Sequence, residues 1–199
     1  MRELQAGLWH WESRHPEWTP EQGGREGWGP EVSSYAIDDG DRLILVDPLS
    51  APSLVDELAA GRDPVVVLTC PWHRRDAQSM IERLGAPVYV PPPDDGDPSP
   101  VEGHVFSAGE RLPIGVEAFA GMERNDLVLW IESRRALAVG DSLVDRGHGL
   151  EVPVEWATKG VPPEEVLDVL RPLLELPVEL VLPTHGAPTD RAALERALS

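Results

Sequence analysis

Residues 65–77 read VVVLTCPWHRRDA, an apolar run that stops at a cluster of polar, aromatic and reactive side chains. A continuous and largely β-branched apolar run predicts a strand that is buried on both faces of a sheet. The side chains directly after it therefore lie where a buried strand reaches the edge of its sheet. Since proteins that mix strands and helices often bind ligands at strand ends, this segment predicts a candidate site.

The segments on either side predict a mixed arrangement of strands and helices. A hairpin is predicted over 32–48, a last buried strand over 178–183, and strand-like segments recur between 104 and 140. Helices are predicted over 51–61, 74–86, 162–177 (interrupted at Pro172) and 188–199, whereas 142–160 is irregular. This order favours an α+β protein with two facing sheets and helices outside, in a single domain over 1–199.

Composition restricts the classes of partner. The net charge of −18 repels polyanions, so neither nucleic acid nor an anionic membrane surface is an expected partner. The sequence contains one cysteine, Cys70, and no apolar run of about 20 residues that could span a bilayer. A cytoplasmic protein with a small-molecule ligand is therefore expected, and the sequence leaves its oligomeric state open.

Three further strand ends carry motifs that resemble one known family. They are YAIDDGDRLILVDP ending at Asp47, RALAVGDSL with Asp141, and VELVLPTHGAP with His185. In this order and spacing, from about residue 32 to the end, they resemble the metallo-β-lactamase superfamily. The resemblance implies a four-layer αββα sandwich of the metallohydrolase type, in which Asp141 and His185 occupy metal-binding positions.

The same resemblance implies that residues 69–75 replace the family's main metal motif, a Thr followed by His-x-His-x-Asp-His. The motif's ligand positions fall on Cys70, Trp72, Arg74 and Arg75, and a later histidine position falls on Met122. A guanidinium group repels a cation and attracts an anion. The expected metal centre is therefore degenerate, without the family's two-metal site.

His73, one residue past the second motif position, is the remaining candidate ligand. With Asp141 and His185 it could form a site for at most one divalent ion, such as zinc, iron or manganese. The alternatives are that the three residues act as metal-free acid–base groups or only hydrogen-bond to one another. Cys70 is either a nucleophile whose pKa is lowered by nearby arginines or a packed core residue.

The N-terminal segment 1–31 is rich in tryptophan and is expected to be a strand and a loop over the pocket. His15, Trp18 and Trp28 lie in it, and with Trp72 and Arg75 they are expected to bind substrate, including an anionic group. The alternative is that the indoles fill the space of missing metals. His10, His104 and His148 are expected at the surface.

The expected function is hydrolysis of a small ester, thioester, lactone or phosphoester-type substrate, with Asp141, His185 and His73 as catalytic residues. The alternative is a metal-free, non-catalytic protein that binds a ligand or a partner on the same scaffold. A fold alone does not choose between the two.

Overall fold

The computed structural model describes residues 1–93, 97–99, 101–158 and 161–199. Positions 159 and 160 of the irregular stretch 142–160 lie outside this range. Among the described residues, no helix combines the length and the apolar composition needed to cross a membrane.

Seven strands form the first sheet, in the order β1-β2-β3-β4-β5-β6-β7. They are β1 Arg2–Gln5, β2 Leu8–Arg14, β3 Glu31–Asp38, β4 Arg42–Val46, β5 Asp63–Val67, β6 Val88–Val90 and β7 His104–Val105. The strands from β1 to β4 pair antiparallel, and those from β4 to β7 pair parallel.

The second sheet has five strands in the order β14-β13-β10-β9-β8. They are β8 Val116–Ala120, β9 Leu127–Ile131, β10 Ala136–Ala138, β13 Leu180–Leu182 and β14 Thr189–Asp190. A small ribbon pairs β11 Val144–Asp145 with β12 Leu150–Glu151. The helices are α1 Leu54–Ala59, α2 Ala77–Leu84, α3 Pro163–Leu170 and α4 Arg191–Ala197. Helix α3 ends before Pro172, and a 3₁₀ segment, Arg171–Glu175, follows it.

The core has three layers because the central strands are apolar on both faces. Ile44 and Val65 pack between the sheets against Leu129. Their sequence neighbours Leu43 and Val66 pack on the opposite face, in a cluster to which α1 and α2 contribute. A third cluster lies between the second sheet and helices α3 and α4. The structure therefore confirms an α+β fold with four layers in the order αββα.

The candidate site lies at one edge of the two sheets. Since β4 and β5 run parallel, as do β10 and β13, the segments after these strands emerge side by side. Hydrogen bonds join the sheets here: Ser33 N donates to Thr184 O at 2.8 Å and Tyr35 Oη to Pro183 O at 2.7 Å. These hydrogen bonds connect the two sheets at the edge that bears the site.

Candidate metal and substrate site

Asp47 anchors the site from the residue after β4. Its carboxylate is buried and accepts hydrogen bonds from Thr69 N at 2.9 Å and Thr69 Oγ1 at 2.6 Å. Burial opposes ionisation, but the positive charges of His73 and Arg75 outweigh it, so the pKa of Asp47 lies below its usual value. Asp47 and Arg75 both have positive φ angles, 44° and 37°, which non-glycine residues rarely adopt outside strained or functional positions.

His73 enters the site because the chain turns after β5. The 3₁₀ turn Pro71–His73 brings its ring between two carboxylates, with Nδ1 3.0 Å from Asp47 Oδ2 and Nε2 3.3 Å from Asp141 Oδ1. Burial alone would lower the pKa of His73, but Asp141 and Asp47 outweigh that effect and raise it to about 9. In the metal-free protein His73 is therefore a buried cation at neutral pH.

Asp141, just beyond β10, presents two different oxygens. Oδ2 accepts a hydrogen bond from Trp72 Nε1 at 2.8 Å. Oδ1 is buried and lies 3.3 Å from Nε2 of both His73 and His185, but neither contact has the alignment of a good hydrogen bond. Although burial disfavours the charge, chiefly His73 and also His185 hold the pKa of Asp141 well below its usual value. A buried, ionised oxygen without a well-aligned donor is a position where a cation fits.

His185 lies beyond β13 on the other side of Asp141. Its Nε2 is 3.3 Å from Asp141 Oδ1, and its ring lies 4.9 Å from that of Trp28 and 5.7 Å from that of Trp156. Burial lowers the pKa of His185, so its imidazole is neutral at neutral pH. A neutral imidazole is the form that binds metal ions.

Asp141 lies between two candidate ligands, and the described side chains whose ligand atoms come closest together are Cys70, His73 and Asp141, a group that does not include His185. Nε2 of His73 and Nε2 of His185 each lie 3.3 Å from Asp141 Oδ1. Bonds of about 2.0–2.1 Å in a tetrahedral zinc site place neighbouring ligand atoms about 3.3 Å apart. Cys70 Sγ adds a nearby donor, since one ligand atom from each of Cys70, His73 and Asp141 lies within 4.8 Å of the others. His73 must lose its proton to bind a metal, so ion binding competes with protonation.

Asp126 contacts Asp141 and is a site residue that was not identified from the sequence. Its fully buried carboxyl accepts hydrogen bonds from Ser142 Oγ and, at 3.4 Å, from Asp141 N. Burial, followed by the charge of Asp141, raises the pKa of Asp126 well above its usual value, which favours its protonated form. Nothing in the local sequence distinguishes this aspartate from an exposed turn residue.

The structure favours the packed-core alternative for Cys70, and the expectation that His10 lies at the surface is wrong. Cys70 is fully buried, and burial, together with Asp141, raises the pKa of its thiol well above the usual value, so it is not a thiolate nucleophile at neutral pH. His10 is also buried, with Nε2 2.8 Å from Ser33 Oγ and its ring stacked on Tyr35. Of the two arginines expected near Cys70, Arg74 is exposed and Arg75 is half-buried.

A cavity of about 460 Å³ opens over these residues. Its lining includes the expected residues His15, Trp28, Trp72, His73, Arg75, Asp141 and His185. Arg75 lies against the backbone, where Nη1 donates to Ser33 O at 3.0 Å and to Asp47 O at 2.8 Å. Trp18 is not among the lining residues; it lines a neighbouring cavity and donates from Nε1 to Trp28 O. Its position therefore supports the loop that carries Trp28.

Trp156 and Glu17 also line the cavity, and neither was expected there. Trp156 belongs to the 3₁₀ turn Val154–Trp156, inside the stretch read as irregular. A large aromatic residue in a long loop is the signal that could have found it. Met122 and Glu123 line a second cavity of about 340 Å³ beyond Trp72.

Comparison with solved structures identifies the fold. The chain is similar to TTHA1623 in a di-iron-bound form, at 24% identity over 85% of this chain and 95% of that chain, with a TM-score of 0.63. It is similar to the DIM-1 metallo-β-lactamase at 16% identity over 99% and 93%, with a TM-score of 0.68. It is similar to a metallo-β-lactamase from Hirschia baltica at 15% identity over 99% and 94%, with a TM-score of 0.67. No family model and no curated protein sequence matches the chain.

Proposed function

We propose that this chain, which has the metallo-β-lactamase fold, is a hydrolase of a small ester, thioester, lactone or phosphoester that uses at most one divalent metal ion. One observation carries the proposal: Asp141 Oδ1 is buried, accepts no well-aligned hydrogen bond from the described residues, and lies 3.3 Å from Nε2 of both His73 and His185. An ion bound to this oxygen would draw the two imidazoles together into a two-histidine, one-carboxylate site, with Cys70 as a nearby further donor.

His73, Asp141 and His185 would hold the ion, and zinc, iron and manganese are the candidates. A divalent ion in such a site supplies Lewis acidity and lowers the pKa of water. The positions that the family uses for further ligands carry Trp72, Arg74 and Arg75, which cannot bind a cation. The names of similar structures, a di-iron form and metallo-β-lactamases, support a metal-dependent hydrolase without identifying the substrate.

The other residues position these groups. Asp47 and Thr69 hold His73 Nδ1, so that Nε2 faces Asp141. A carboxylate on the far nitrogen of a ligating histidine fixes the ring and increases its basicity. Arg75 lines the cavity, where its positive charge would attract an anionic part of the substrate.

Hydrolysis assays on metal-free and metal-loaded protein test this proposal. Protein treated with a chelator is reloaded with one equivalent of zinc, iron or manganese and assayed against ester, thioester, lactone and phosphoester panels. We expect hydrolysis only after reloading, and a loss of at least about 100-fold in Asp141→Asn, since a ligand is removed. Asp168→Asn, at an exposed salt bridge on α3, is the control and should keep full activity. Hydrolysis that persists in the chelator-treated protein would overturn the proposal.

A second candidate is a metal-free, non-catalytic protein that binds a ligand or a partner on the same scaffold. The observation that favours it is the protonated His73, which already supplies a positive charge between Asp47 and Asp141. In that case added metal leaves the melting temperature unchanged, whereas an ion that binds only the folded state raises it.

A further inference from the structure

The cavity is walled by indoles from three separate parts of the chain. Trp28 comes from the loop between β2 and β3, Trp72 from the turn after β5, and Trp156 from the turn after β12. Trp72 is 46% exposed, an unusual position for so large an apolar side chain. Three aromatic side chains that line one cavity indicate a role in ligand binding.

The indoles offer a ligand carbon surface rather than hydrogen bonds. The N–H of Trp72 is already bonded to Asp141, and that of Trp156 donates to Glu26 O at 2.7 Å. Aromatic rings whose polar atoms are occupied bind flat apolar groups by stacking.

The indoles are also held in place before any ligand arrives. Trp18 donates to the carbonyl of Trp28 at 3.0 Å. The Arg146 guanidinium lies 4.9 Å from the centre of the Trp156 ring and is itself paired with Glu151 at 3.0 Å. A site that is already ordered loses less conformational entropy when it binds.

The charges around the cavity favour an uncharged ring. Arg75 and Glu17 line the cavity with side chains of opposite charge. The guanidinium opposes a cationic ligand, which indoles would otherwise attract, and the carboxylate opposes an anionic one. Stacking is therefore the main source of affinity.

We propose that the substrate carries a flat, uncharged aromatic group that stacks against Trp28 and Trp156, while its hydrolysable bond faces Asp141 and His185. The volume of about 460 Å³ lies within the range of small-molecule sites. The second half of this statement rests on the proposed function. The first half concerns binding alone and holds for a metal-free protein as well.

Calorimetric titration of chelator-treated protein with 2-naphthol tests the binding half without any catalysis. We expect saturable binding that weakens about 10- to 100-fold in Trp28→Ala and in Trp156→Ala, the loss typical of one stacked ring. Trp156→Phe keeps a ring and should stay within about 3-fold of the unmodified protein. Trp9→Phe is the matched control, because Trp9 packs in the outer cluster near α1 and α2.

Two related probes can overturn the proposal. The saturated alcohol decahydro-2-naphthol should bind at least about 10-fold more weakly than 2-naphthol, since it cannot stack. Equal binding of the saturated alcohol, tighter binding of 2-naphthyltrimethylammonium, or no saturable binding of 2-naphthol would each contradict a flat, uncharged ring.

Hydrolysis of two esters by metal-loaded protein separates the two proposals: 2-naphthylmethyl acetate and decahydro-2-naphthylmethyl acetate, which release alcohols of similar acidity. A higher kcat/KM for 2-naphthylmethyl acetate that falls in Trp28→Ala supports both. Binding of 2-naphthol without hydrolysis of any ester removes the proposed function and keeps the aromatic subsite. Equal hydrolysis of the two esters, together with no binding of 2-naphthol, keeps the function and removes the subsite.

Discussion

At the scale of single residues, the site is a chain of alternating charges. Asp47, His73 and Asp141 follow one another at 3.0 Å and 3.3 Å, all with little exposure to solvent. Each charge in such a row is stabilised by its neighbours, so the loss of one leaves another buried and unpaired.

Asp47→Asn should therefore destabilise the protein by about 3 kcal/mol, because His73 loses a buried counter-ion. Asparagine keeps the size and tolerates the positive φ of 44°, so the change reports on charge. Asp56→Asn is the control: it breaks an exposed pair with Arg83, worth about 0–1 kcal/mol. Urea unfolding measures both, and equal free energies of unfolding for the two variants would contradict this account.

His10 gives the protein a pH dependence outside the metal site. Burial, with a smaller contribution from Arg2, lowers the pKa of His10 from 6.5 to about 4. The unfolded chain then binds a proton that the folded chain does not, so the stabilising contribution is complete above pH 6.5 and is lost as the pH falls towards 4.

His10→Gln should therefore flatten the decrease in melting temperature between pH 6.5 and pH 4. His104→Gln, at an exposed position in β7, should leave that decrease as it is. Thermal melts across this pH range provide the measurement, and the same slope in His10→Gln as in the unmodified protein would refute the assignment.

At the scale of elements, the site depends on how closely strand ends approach one another. Gly140, between β10 and Asp141, has φ +53°, and a Cβ there would meet Asp126 Oδ1 at 2.4 Å and Thr69 Cβ at 3.0 Å. Gly61 also has a positive φ, +78°, but its Cβ would meet nothing within 4 Å. A comparison of substitutions at Gly61 and Gly140 therefore separates the cost of a positive φ from the cost of steric crowding.

Gly61→Ala should cost about 1–2 kcal/mol, the usual penalty of the left-handed region. Gly140→Ala should cost at least about 2 kcal/mol more, because Asp126 and Thr69 must move and Asp141 with them. Chemical unfolding compares the two, and similar losses would show that the strand ends are not tightly packed.

The elements also show which parts of the site could be read from the sequence. Strand ends in a recognisable order predicted Asp47, Asp141 and His185, since a buried strand leaves little freedom in where its next residue lies. The place of His73 depended on a single 3₁₀ turn, Pro71–His73, and Trp156 on another within an irregular stretch. Asp126 is buried against Asp141 and Ser142, about 15 residues further along the chain, and no sequence periodicity predicts such a contact.

At the scale of the whole molecule, the layers were predictable because successive side chains of buried strands, such as residues 65–68, point into two different hydrophobic clusters. Val65 and Val67 face the second sheet, while Val66 and Leu68 face the helices. The net charge of −18 is a property of the whole chain, and it affects the stability of the folded state. Excess like charge destabilises a compact state by mutual repulsion, and salt screens that repulsion.

Raising sodium chloride from about 0.01 M to about 0.3 M should therefore stabilise the protein, because the screening length falls from about 30 Å to below 10 Å. A gain of about 1 kcal/mol corresponds to a rise of roughly 2–4 °C in melting temperature for a chain of this size. The melts are run with a chelator present, so that bound metal does not contribute. A melting temperature that falls with added salt would contradict the effect.

The number of metal ions bound per chain tests the central claim most directly. Protein stripped with a chelator, dialysed against zinc and analysed by mass spectrometry of its elements should contain one ion per chain, and Asp141→Asn should contain none. Two ions per chain would contradict a site for a single metal, and no ion at all would contradict a metal site altogether.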